Sequence, residues 1–286
     1  MALTDRALVR ALLERHGFTF SKAMGQNFLV NPTVSPRMAE AGGAGPGMGV
    51  LEIGPGIGVL TEELARRAER VVCIELDERL LPILAETMQE YDNVEVLHGD
   101  VMKVDLAQIL ATRFDKLPVA VCANLPYYIT TPILMRLLEL RLPILSITVM
   151  VQREAAIRLC ARPGTRECGA ISAAIWYYSE PERLFSVSSG SFMPPPTVES
   201  EVICLKVRKT PLVTPVDERV FFQVVRGAFA QRRKTVVNSL TSTMHLSKAA
   251  LIAVLEALEL DPAIRAERLS LENLCALSNG ITAMQR

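Results

Sequence analysis

The chain has 286 residues, half of them apolar, and its 31 basic residues balance its 31 acidic residues. This length fits one large domain or two ordinary ones, and the apolar content excludes wholesale disorder. The zero net charge excludes a uniformly basic nucleic-acid-binding surface, so any such surface must be a local patch.

The N-terminal segment, 1–17, carries Asp5 and Glu14 and has no continuous apolar stretch, so no secretory signal is expected. No apolar run in the chain approaches the roughly 20 residues that a membrane-spanning helix needs. The six cysteines include no Cys-x-x-Cys pair and have no histidine nearby, which disfavours a zinc site. We therefore expect a cytoplasmic protein with reduced thiols, without a metal and without membrane association.

From Val50 to Val151, short apolar runs alternate with amphipathic segments. The predicted strands are nearly continuously apolar, as strands covered on both faces are: Val50–Ile53, Val71–Leu76, Val94–Leu97, Val119–Ala123 and Ile144–Val151. The predicted helices between them are Leu60–Ala68, Arg79–Gln89, Leu106–Arg113 and Pro132–Leu140. Repeated β-α units predict an α/β fold with a Rossmann-like, doubly wound parallel sheet, which binds ligands at the carboxyl ends of its strands.

After Val151 the regular alternation ends. The prolines of segment 194–196 exclude helix and central strand, so a rigid loop is predicted there. Segment 209–215 has two prolines and few core residues, which predicts a domain boundary between a catalytic domain, 1–208, and a small all-α domain, 209–286. The other predicted elements are the helix Gly169–Tyr178, the strands Arg183–Val187 and Glu201–Val207, and the helices Asp217–Ala230, Lys234–Thr243, Ser247–Leu258 and Ser270–Thr282.

A glycine turn, Gly54-x-Gly56-x-Gly58, follows the first predicted strand and is preceded by Glu52. Glycines allow a backbone to approach a ligand closely. The dinucleotide pattern Gly-x-Gly-x-x-Gly would need a glycine at Val59, so the pyrophosphate fingerprint is not matched. The spacing instead resembles the acidic-x-Gly-x-Gly-x-Gly turn of S-adenosylmethionine-dependent methyltransferases, which predicts S-adenosylmethionine as the cofactor.

Polar residues also follow the next three predicted strands. Glu75 ends the second strand, where a carboxylate can accept both ribose hydroxyls, and Asp100 follows the third, where it can accept from an adenine amine. Either acid alone could be a solvated strand-end charge, but their spacing from the glycine turn favours a ligand. Asn124-Leu125-Pro126-Tyr127 follows the fourth strand. It offers an amide, a bent carbonyl and an aromatic face, which suit the edge and face of adenine, although such a turn can be purely structural.

With these motifs, the chain resembles the bacterial small-subunit ribosomal RNA adenine N6,N6-dimethyltransferase family over nearly its whole length. The matching segments have the order and spacing of the family: Lys22–Leu29, the glycine turn, Ile74–Asp77, Gly99–Val101, Asn124–Ile129, Met150–Glu154 and Phe192–Ser200. One mild departure, Met24-Gly25 before Gln26, affects no expected contact.

The resemblance implies a class I S-adenosylmethionine-dependent methyltransferase fold and a role in small-subunit biogenesis. The implied reaction moves methyl groups from S-adenosylmethionine to N6 of two adjacent adenines in a hairpin near the 3′ end of small-subunit (16S) rRNA. Asn27 and Leu29 would flank the methionine end of the cofactor, above Gly54. The full implied cofactor-binding set is Asn27, Leu29, Gly54, Gly56, Glu75, Asp100, Val101 and Asn124.

The expected mechanism follows from the weak nucleophilicity of adenine N6, whose lone pair is delocalised into the ring. The Asn124 side-chain oxygen and the Leu125 carbonyl, with its direction fixed by Pro126, would accept the hydrogens of N6. Tyr127 would stack on the target base and Phe192 would cover its opposite face, although Phe192 could instead be a plain core residue. Positioning, without a strong general base, would supply most of the acceleration once the base has left its stack.

The basic stretch Arg232-Arg233-Lys234 is expected to open a helix of the tail domain and, with Arg226, to bind the RNA backbone, although an exposed helix face would look similar. The expected partner is small-subunit rRNA within a pre-assembled subunit. Three alternatives remain. They are a non-catalytic RNA-binding assembly factor with a methyltransferase fold, a NAD-dependent oxidoreductase, which the glycine spacing disfavours, and a large-subunit adenine methylase, which fits the tail domain and the proline loop less well.

Overall fold

The computed structural model of the protein describes residues 3–21 and 25–284. The chain divides into two compact units, the first made of residues 1–156 and 182–207 and the second of residues 157–181 and 208–286. Among the described residues, no helix combines the length and apolarity that crossing a membrane requires.

The described residues form two β-sheets. A seven-stranded sheet has the order β4-β3-β2-β5-β6-β9-β7, and a two-stranded sheet pairs β1 with β8. The strands are β1 (Phe28–Leu29), β2 (Gly49–Ile53), β3 (Arg70–Glu75), β4 (Val94–His98), β5 (Val119–Asn124), β6 (Ile144–Gln152), β7 (Ser179–Val187), β8 (Phe192–Met193) and β9 (Ser200–Val207).

The large sheet is parallel from β4 to β6, and β9 joins it antiparallel to β6. Strand β2 lies at the centre, where Leu51 pairs with Val72 on one side and with Val121 on the other. All five residues of β2 are buried, Glu52 among them, as a nearly continuous apolar run predicts. After β2, the chain adds β3 and β4 on one side of this strand and then crosses to its other side to form β5. The strand order therefore reverses between β2 and β5, which is where doubly wound sheets bind ligands.

Twelve α-helices lie in the described residues: α1 (Arg6–Arg15), α2 (Val34–Ala41), α3 (Val59–Ala65), α4 (Leu81–Thr87), α5 (Leu106–Arg113), α6 (Thr130–Glu139), α7 (Arg153–Cys160), α8 (Ala170–Tyr178), α9 (Glu218–Phe229), α10 (Val236–Met244), α11 (Lys248–Ala257) and α12 (Leu271–Met284). The Rossmann-like fold with a helical C-terminal region is therefore confirmed. Helices α1, α2 and α7 are absent from the sequence prediction. In α1, the buried residues Val9, Leu12 and Leu13 have helical spacing and Asp5 is the N-cap, so the sequence carries a signal for this helix that the prediction missed.

The second unit combines α8 with the C-terminal helices, whereas the sequence analysis assigned α8 to the catalytic domain. An aromatic cluster explains this grouping. The ring centroid of Tyr177 lies 5.2 Å from that of Phe221, and the ring of Tyr178 stacks on Phe222 at 5.6 Å. The Tyr177 hydroxyl also donates to a carboxylate oxygen of Glu218 at 3.2 Å. The functional division of the chain at residue 209 stays a prediction.

The small sheet joins the loop before α2 to the proline loop. Phe28 pairs with Met193, and Leu29 pairs with Phe192. The Val30 amide donates to the Ser191 carbonyl at 2.8 Å and extends the pairing by one bond. The predicted proline loop thus contains a two-residue strand, which ends directly before Pro194 because proline has no amide hydrogen to donate.

Candidate functional site

A mostly apolar cavity opens at the carboxyl ends of β2, β3, β4 and β5. The segments that line it follow those strand ends or precede β1, as the topology of a doubly wound sheet predicts. Eleven of the twelve residues predicted for the cofactor or the reaction line it: Asn27, Leu29, Gly54, Gly56, Glu75, Asp100, Val101, Asn124, Leu125, Pro126 and Tyr127. Residues 22–24, which begin the first family motif, lie outside the described part of the chain.

The glycine turn has a backbone conformation that residues with a Cβ atom rarely adopt. Gly54, Gly56 and Gly58 have φ angles of +69°, +63° and +93°, all in the left-handed region. A Cβ at Gly54 would meet no atom within 4 Å, so the backbone there faces open cavity. A Cβ at Gly56 would lie 3.2 Å from the Phe28 ring, because the turn packs against β1. The turn can therefore bring a bare backbone against a ligand.

Glu75 is held rigidly at the end of β3 and is only 5% exposed. Its Oε2 accepts from the Gly56 amide at 3.3 Å, and its Oε1 accepts from the Asp77 amide at 2.8 Å. Burial raises the pKa of Glu75, and these two backbone hydrogen bonds oppose the rise. Each carboxylate oxygen keeps a further lone pair that can accept from a ligand hydroxyl.

A second carboxylate, Asp77, organises the loop before β1, and sequence reasoning missed it. Gln26 Nε2 donates to Asp77 Oδ2 at 2.7 Å, while Gln26 Oε1 accepts from the Ser21 amide at 2.9 Å. Hydrogen bonds from the Arg79 side chain lower the pKa of Asp77. Because the two partners are 51 residues apart, no local pattern in the sequence could reveal this bond.

Asp100 lies in the turn after β4. Its Oδ1 accepts from the Met102 amide at 2.9 Å, and its Oδ2 lies 3.6 Å from Lys103 Nζ. The Gly99 amide donates to the Glu75 carbonyl at 2.8 Å, which joins this turn to the end of β3. The predicted ribose and adenine contacts, Glu75 and Asp100, are thereby held on neighbouring strand ends.

Asn124 ends β5 with its side chain oriented by the loop before β1. Its Nδ2 donates to the Asn27 carbonyl at 3.4 Å, and Asn27 Nδ2 donates to the Gly25 carbonyl at 3.0 Å. This amide orientation leaves Asn124 Oδ1 as an acceptor, with no donor to it among residues 3–21 and 25–284. The Leu125 carbonyl likewise has no donor from that part of the chain. Two unpaired acceptors therefore lie on consecutive residues that line the cavity.

The turn after Leu125 carries two consecutive tyrosines. The Pro126 carbonyl accepts from the Ile129 amide at 3.2 Å and from Thr130 Oγ1 at 3.1 Å, which closes the turn before α6. The Tyr127 hydroxyl is hydrogen-bonded to Ser200 Oγ at 2.5 Å, and burial raises the pKa of Tyr127. The Tyr127 ring is thus fixed at the cavity by a contact with β9.

The prediction that Phe192 stacks on the target base is not supported by its position. Phe192 is 1% exposed, does not line the cavity and belongs to the apolar core beneath the small sheet. Its ring is buried in that core, which leaves no face open to a ligand. The alternative of a plain core residue describes this structure, and an aromatic residue without an assigned role, Tyr128, lines the cavity instead.

The predicted RNA-binding residues lie in the second unit. Arg226 on α9 and Arg232 line a separate cavity together with Arg158 and the start of α8. Among the described residues, no carboxylate forms an ion pair with these three arginines. The stretch Arg232–Lys234 does not open a helix as predicted, because α10 begins at Val236 with the Thr235 side chain as its N-cap. Arg233 and Lys234 lie in the preceding turn and are exposed.

Glu52 lines the same cavity as Glu75 but is 1% exposed. Burial raises the pKa of Glu52 from its ordinary value of 4.5 to about 7. The folded protein therefore binds more protons than the unfolded chain between these two values, so this group's contribution to stability falls as the pH rises from 4.5 to 7. The free energy of unfolding is expected to fall by about 3 kcal/mol over this range.

We expect Glu52→Gln, which is uncharged at every pH, to remove this dependence. Without ligand, the variant should melt at about the wild-type temperature at pH 5 and roughly 5 °C higher at pH 8. Thermal unfolding followed by circular dichroism across this range checks the result. If the melting temperatures of the two proteins changed with pH by the same amount, ionisation of Glu52 would not be what lowers the stability.

Among the described residues, no three His, Cys, Asp or Glu side chains converge on a possible metal site. The arrangement at the strand ends therefore offers hydrogen-bond acceptors, a bare glycine backbone and aromatic surface. Such a site can bind an uncharged or cationic nucleoside and position a second planar base beside it.

Comparison with known proteins agrees with this geometry. The family model described as "Ribosomal RNA adenine dimethylase" matches residues 17–282. A protein of Geobacillus kaustophilus named "Ribosomal RNA small subunit methyltransferase A" is 48% identical over 96% of this chain and 95% of its own length. A protein of the same name from Shouchella clausii is 46% identical over 98% of this chain and 96% of its own length.

Solved structures also resemble this fold. A dimethyladenosine transferase from Plasmodium falciparum aligns with a TM-score of 0.74 at 24% identity, over 87% of this chain and 95% of its own. The 23S rRNA methyltransferase ErmE aligns with a TM-score of 0.70 at 26% identity, over 90% of this chain and 100% of its own.

Proposed function

Because this chain belongs to the ribosomal RNA adenine dimethylase family, we propose that the cavity at the strand ends is where it performs the reaction of that family. The protein is an S-adenosylmethionine-dependent enzyme that dimethylates adenine in small-subunit rRNA. Its proposed targets are the N6 atoms of two adjacent adenines near the 3′ end of that RNA. The observation that carries the assignment of the site is the pair of unpaired acceptors, on Asn124 and Leu125, beside the glycine turn.

The residues of the cavity fit S-adenosylmethionine. The open backbone at Gly54 would accommodate the methionine end, with Asn27 and Leu29 beside it, and the Glu75 carboxylate would accept the ribose hydroxyls. Asp100 and Val101 would contact the adenine, and Gly56 would hold Glu75 in place through its amide. When bound, the cofactor supplies an electrophilic methyl group.

The proposed role of the Asn124 turn is to orient the target amine. Asn124 Oδ1 and the Leu125 carbonyl would accept the two N6 hydrogens, which favours a pyramidal nitrogen whose lone pair can attack. The fixed ring of Tyr127 would stack on the extruded base. Holding two reactants in line is worth many orders of magnitude in rate, so the neutral amine can attack without a general base. As the N6–methyl bond would form, the bond from sulfur to that methyl would break, and the cationic nitrogen would then lose a proton to water.

The alternative of a non-catalytic assembly factor is not favoured, because the acceptor pair and the glycine turn are intact and the relatives are named methyltransferases. A large-subunit methylase is disfavoured as well. Identity is 48% to a small-subunit enzyme but only 26% to the large-subunit enzyme ErmE.

The direct test of the function uses small ribosomal subunits that lack the modification. We expect the purified protein with S-adenosylmethionine to convert two adenines per particle to N6,N6-dimethyladenine, measured by mass spectrometry of digested nucleosides. Particles that gain no methyl groups would contradict the proposal, and methylation of large subunits alone would favour the large-subunit alternative. We further propose that the natural substrate is a pre-assembled subunit in the cytoplasm, which the same assay tests by comparing particles with naked rRNA.

The arginines of the second unit are proposed to bind the rRNA backbone. Arg158, Arg226 and Arg232 line one cavity together with one carboxylate, Glu167, so the lining carries more positive than negative charge and a phosphate group would be a natural counter-ion. Exposed Arg233 and Lys234 would extend this surface.

We expect the double variant Arg226→Ala/Arg232→Ala to bind unmethylated small subunits about tenfold or more weakly and to show a shallower dependence of affinity on salt concentration. Filter binding at several salt concentrations measures both quantities. The double variant Lys209→Ala/Lys248→Ala removes two exposed charges from the same unit and is the matched control. Equal losses of affinity in both variants would mean that only net charge matters. This result would contradict the proposal that these arginines form a specific RNA-binding surface.

A further inference from the structure

Tyr128 is the most exposed large hydrophobic residue that lines the cavity. Its side chain is 59% exposed, whereas neighbouring Leu125 is 1% exposed. An aromatic ring that is open to water beside an apolar cavity offers a face on which a planar base can stack. The mechanism above uses Tyr127 and gives Tyr128 no role.

The turn directs the two tyrosines differently. Because the Pro126 carbonyl accepts from the Ile129 amide, Tyr127 and Tyr128 are the two central residues of the turn. The Tyr127 hydroxyl reaches Ser200, while the Cδ1 edge of Tyr128 lies against Gly25, where a Cβ would be only 3.4 Å away. No described residue forms a hydrogen bond with the Tyr128 hydroxyl. One edge of its ring is therefore supported, and most of the ring remains open.

We propose that Tyr128 stacks on the nucleobase adjacent to the target, that is, on the adenine not reacting at that moment. This inference rests on the proposed function of the cavity. Extrusion of the target base removes one stacking partner from its neighbour. An exposed ring one residue beyond Tyr127 can replace that partner, because base stacking on aromatic side chains requires no specific hydrogen bonds. Tyr128 is thus a positioning residue for the pair of adenines.

Three variants test the proposal in steady-state methylation of unmethylated small subunits. Tyr128→Ala should raise KM for the particle about tenfold, the usual effect of losing one base stack, with kcat within about twofold of wild type. Tyr128→Phe should restore KM because the ring, and not the hydroxyl, makes the stack. Leu140→Ala removes a 45% exposed side chain outside the cavity and should change neither constant.

A base substitution distinguishes the neighbour from the target. In wild type, replacing the unreacting adenine with uracil should raise KM for methylation of the remaining adenine, because a pyrimidine stacks more weakly. In Tyr128→Ala the same replacement should have little further effect, because the stack is already absent. Additive effects of the two changes would overturn the proposal.

Two other outcomes would also overturn it. One is an unchanged KM in Tyr128→Ala. The other is a loss confined to S-adenosylmethionine affinity, measured by calorimetry, which would make Tyr128 a cofactor contact. Failure of the proposed function is recognised separately, because wild-type protein would then methylate no particle at all.

Discussion

Asn124→Ala is expected to abolish methyl transfer to small-subunit rRNA while S-adenosylmethionine binding survives. The variant loses Oδ1, one of the two unpaired acceptors at the cavity, so the target amine is no longer held in the orientation from which it attacks. Losing one positioned hydrogen-bonding group in an active site lowers kcat by about 100-fold or more. Single-turnover transfer of labelled methyl groups to unmethylated particles measures the loss.

Cofactor affinity in the same variant separates orientation from binding. Asn124 Nδ2 donates to the Asn27 carbonyl only at 3.4 Å, so its removal should shift the dissociation constant for S-adenosylmethionine by a few-fold at most. Calorimetry measures that constant, and Asn93→Ala, whose side chain bonds carbonyls outside the cavity, controls for the loss of an asparagine. Activity near the wild-type level in Asn124→Ala would contradict the proposed mechanism.

Glu75→Gln is expected to weaken S-adenosylmethionine binding by about 10- to 100-fold, because hydrogen bonds to a charged carboxylate are worth about 1.5–3 kcal/mol. Glutamine keeps the shape of this 5% exposed side chain, so the fold should persist. One amide oxygen can still accept a backbone hydrogen bond, but the second oxygen is replaced by a donor. Calorimetric titration measures the dissociation constant.

The pH dependence of binding gives a second measure of the same carboxylate. Burial raises the pKa of Glu75, so wild-type affinity should fall as the pH is lowered, starting at a higher pH than for an exposed glutamate. The affinity of Glu75→Gln should lack this contribution. Glu95→Gln alters a carboxylate that pairs with Arg70 outside the cavity, and it should bind like wild type. Equal affinities of wild type and Glu75→Gln would remove Glu75 from the proposed cofactor site.

The fold was predictable where the sequence carries continuous local signals. The buried strand β2 appears as an apolar run broken only by Glu52, and the glycine turn after it appears at the required spacing. Because carboxyl ends of parallel strands share one edge of a sheet, Glu75, Asp100 and Asn124 could be expected there from the strand assignments alone.

The remaining features depend on contacts between distant segments. Phe192 is buried in a core cluster that includes Phe28 and Leu29, and neither segment reveals the other in sequence. The bond from Gln26 to Asp77 is equally remote. The grouping of α8 with the second unit depends on the packing of Tyr177 against Phe221, which are 44 positions apart by their numbers. Side-chain exposure, which singles out Tyr128, is also a property of the folded chain alone.

The most direct test of the central claim is a crystal structure of the protein with S-adenosylmethionine. The account predicts the ribose hydroxyls at the Glu75 carboxylate, the methionine end over Gly54, and the sulfonium methyl pointing towards the space beside Asn124 Oδ1 and the Leu125 carbonyl. A ligand bound elsewhere, with the strand-end cavity empty, would contradict it.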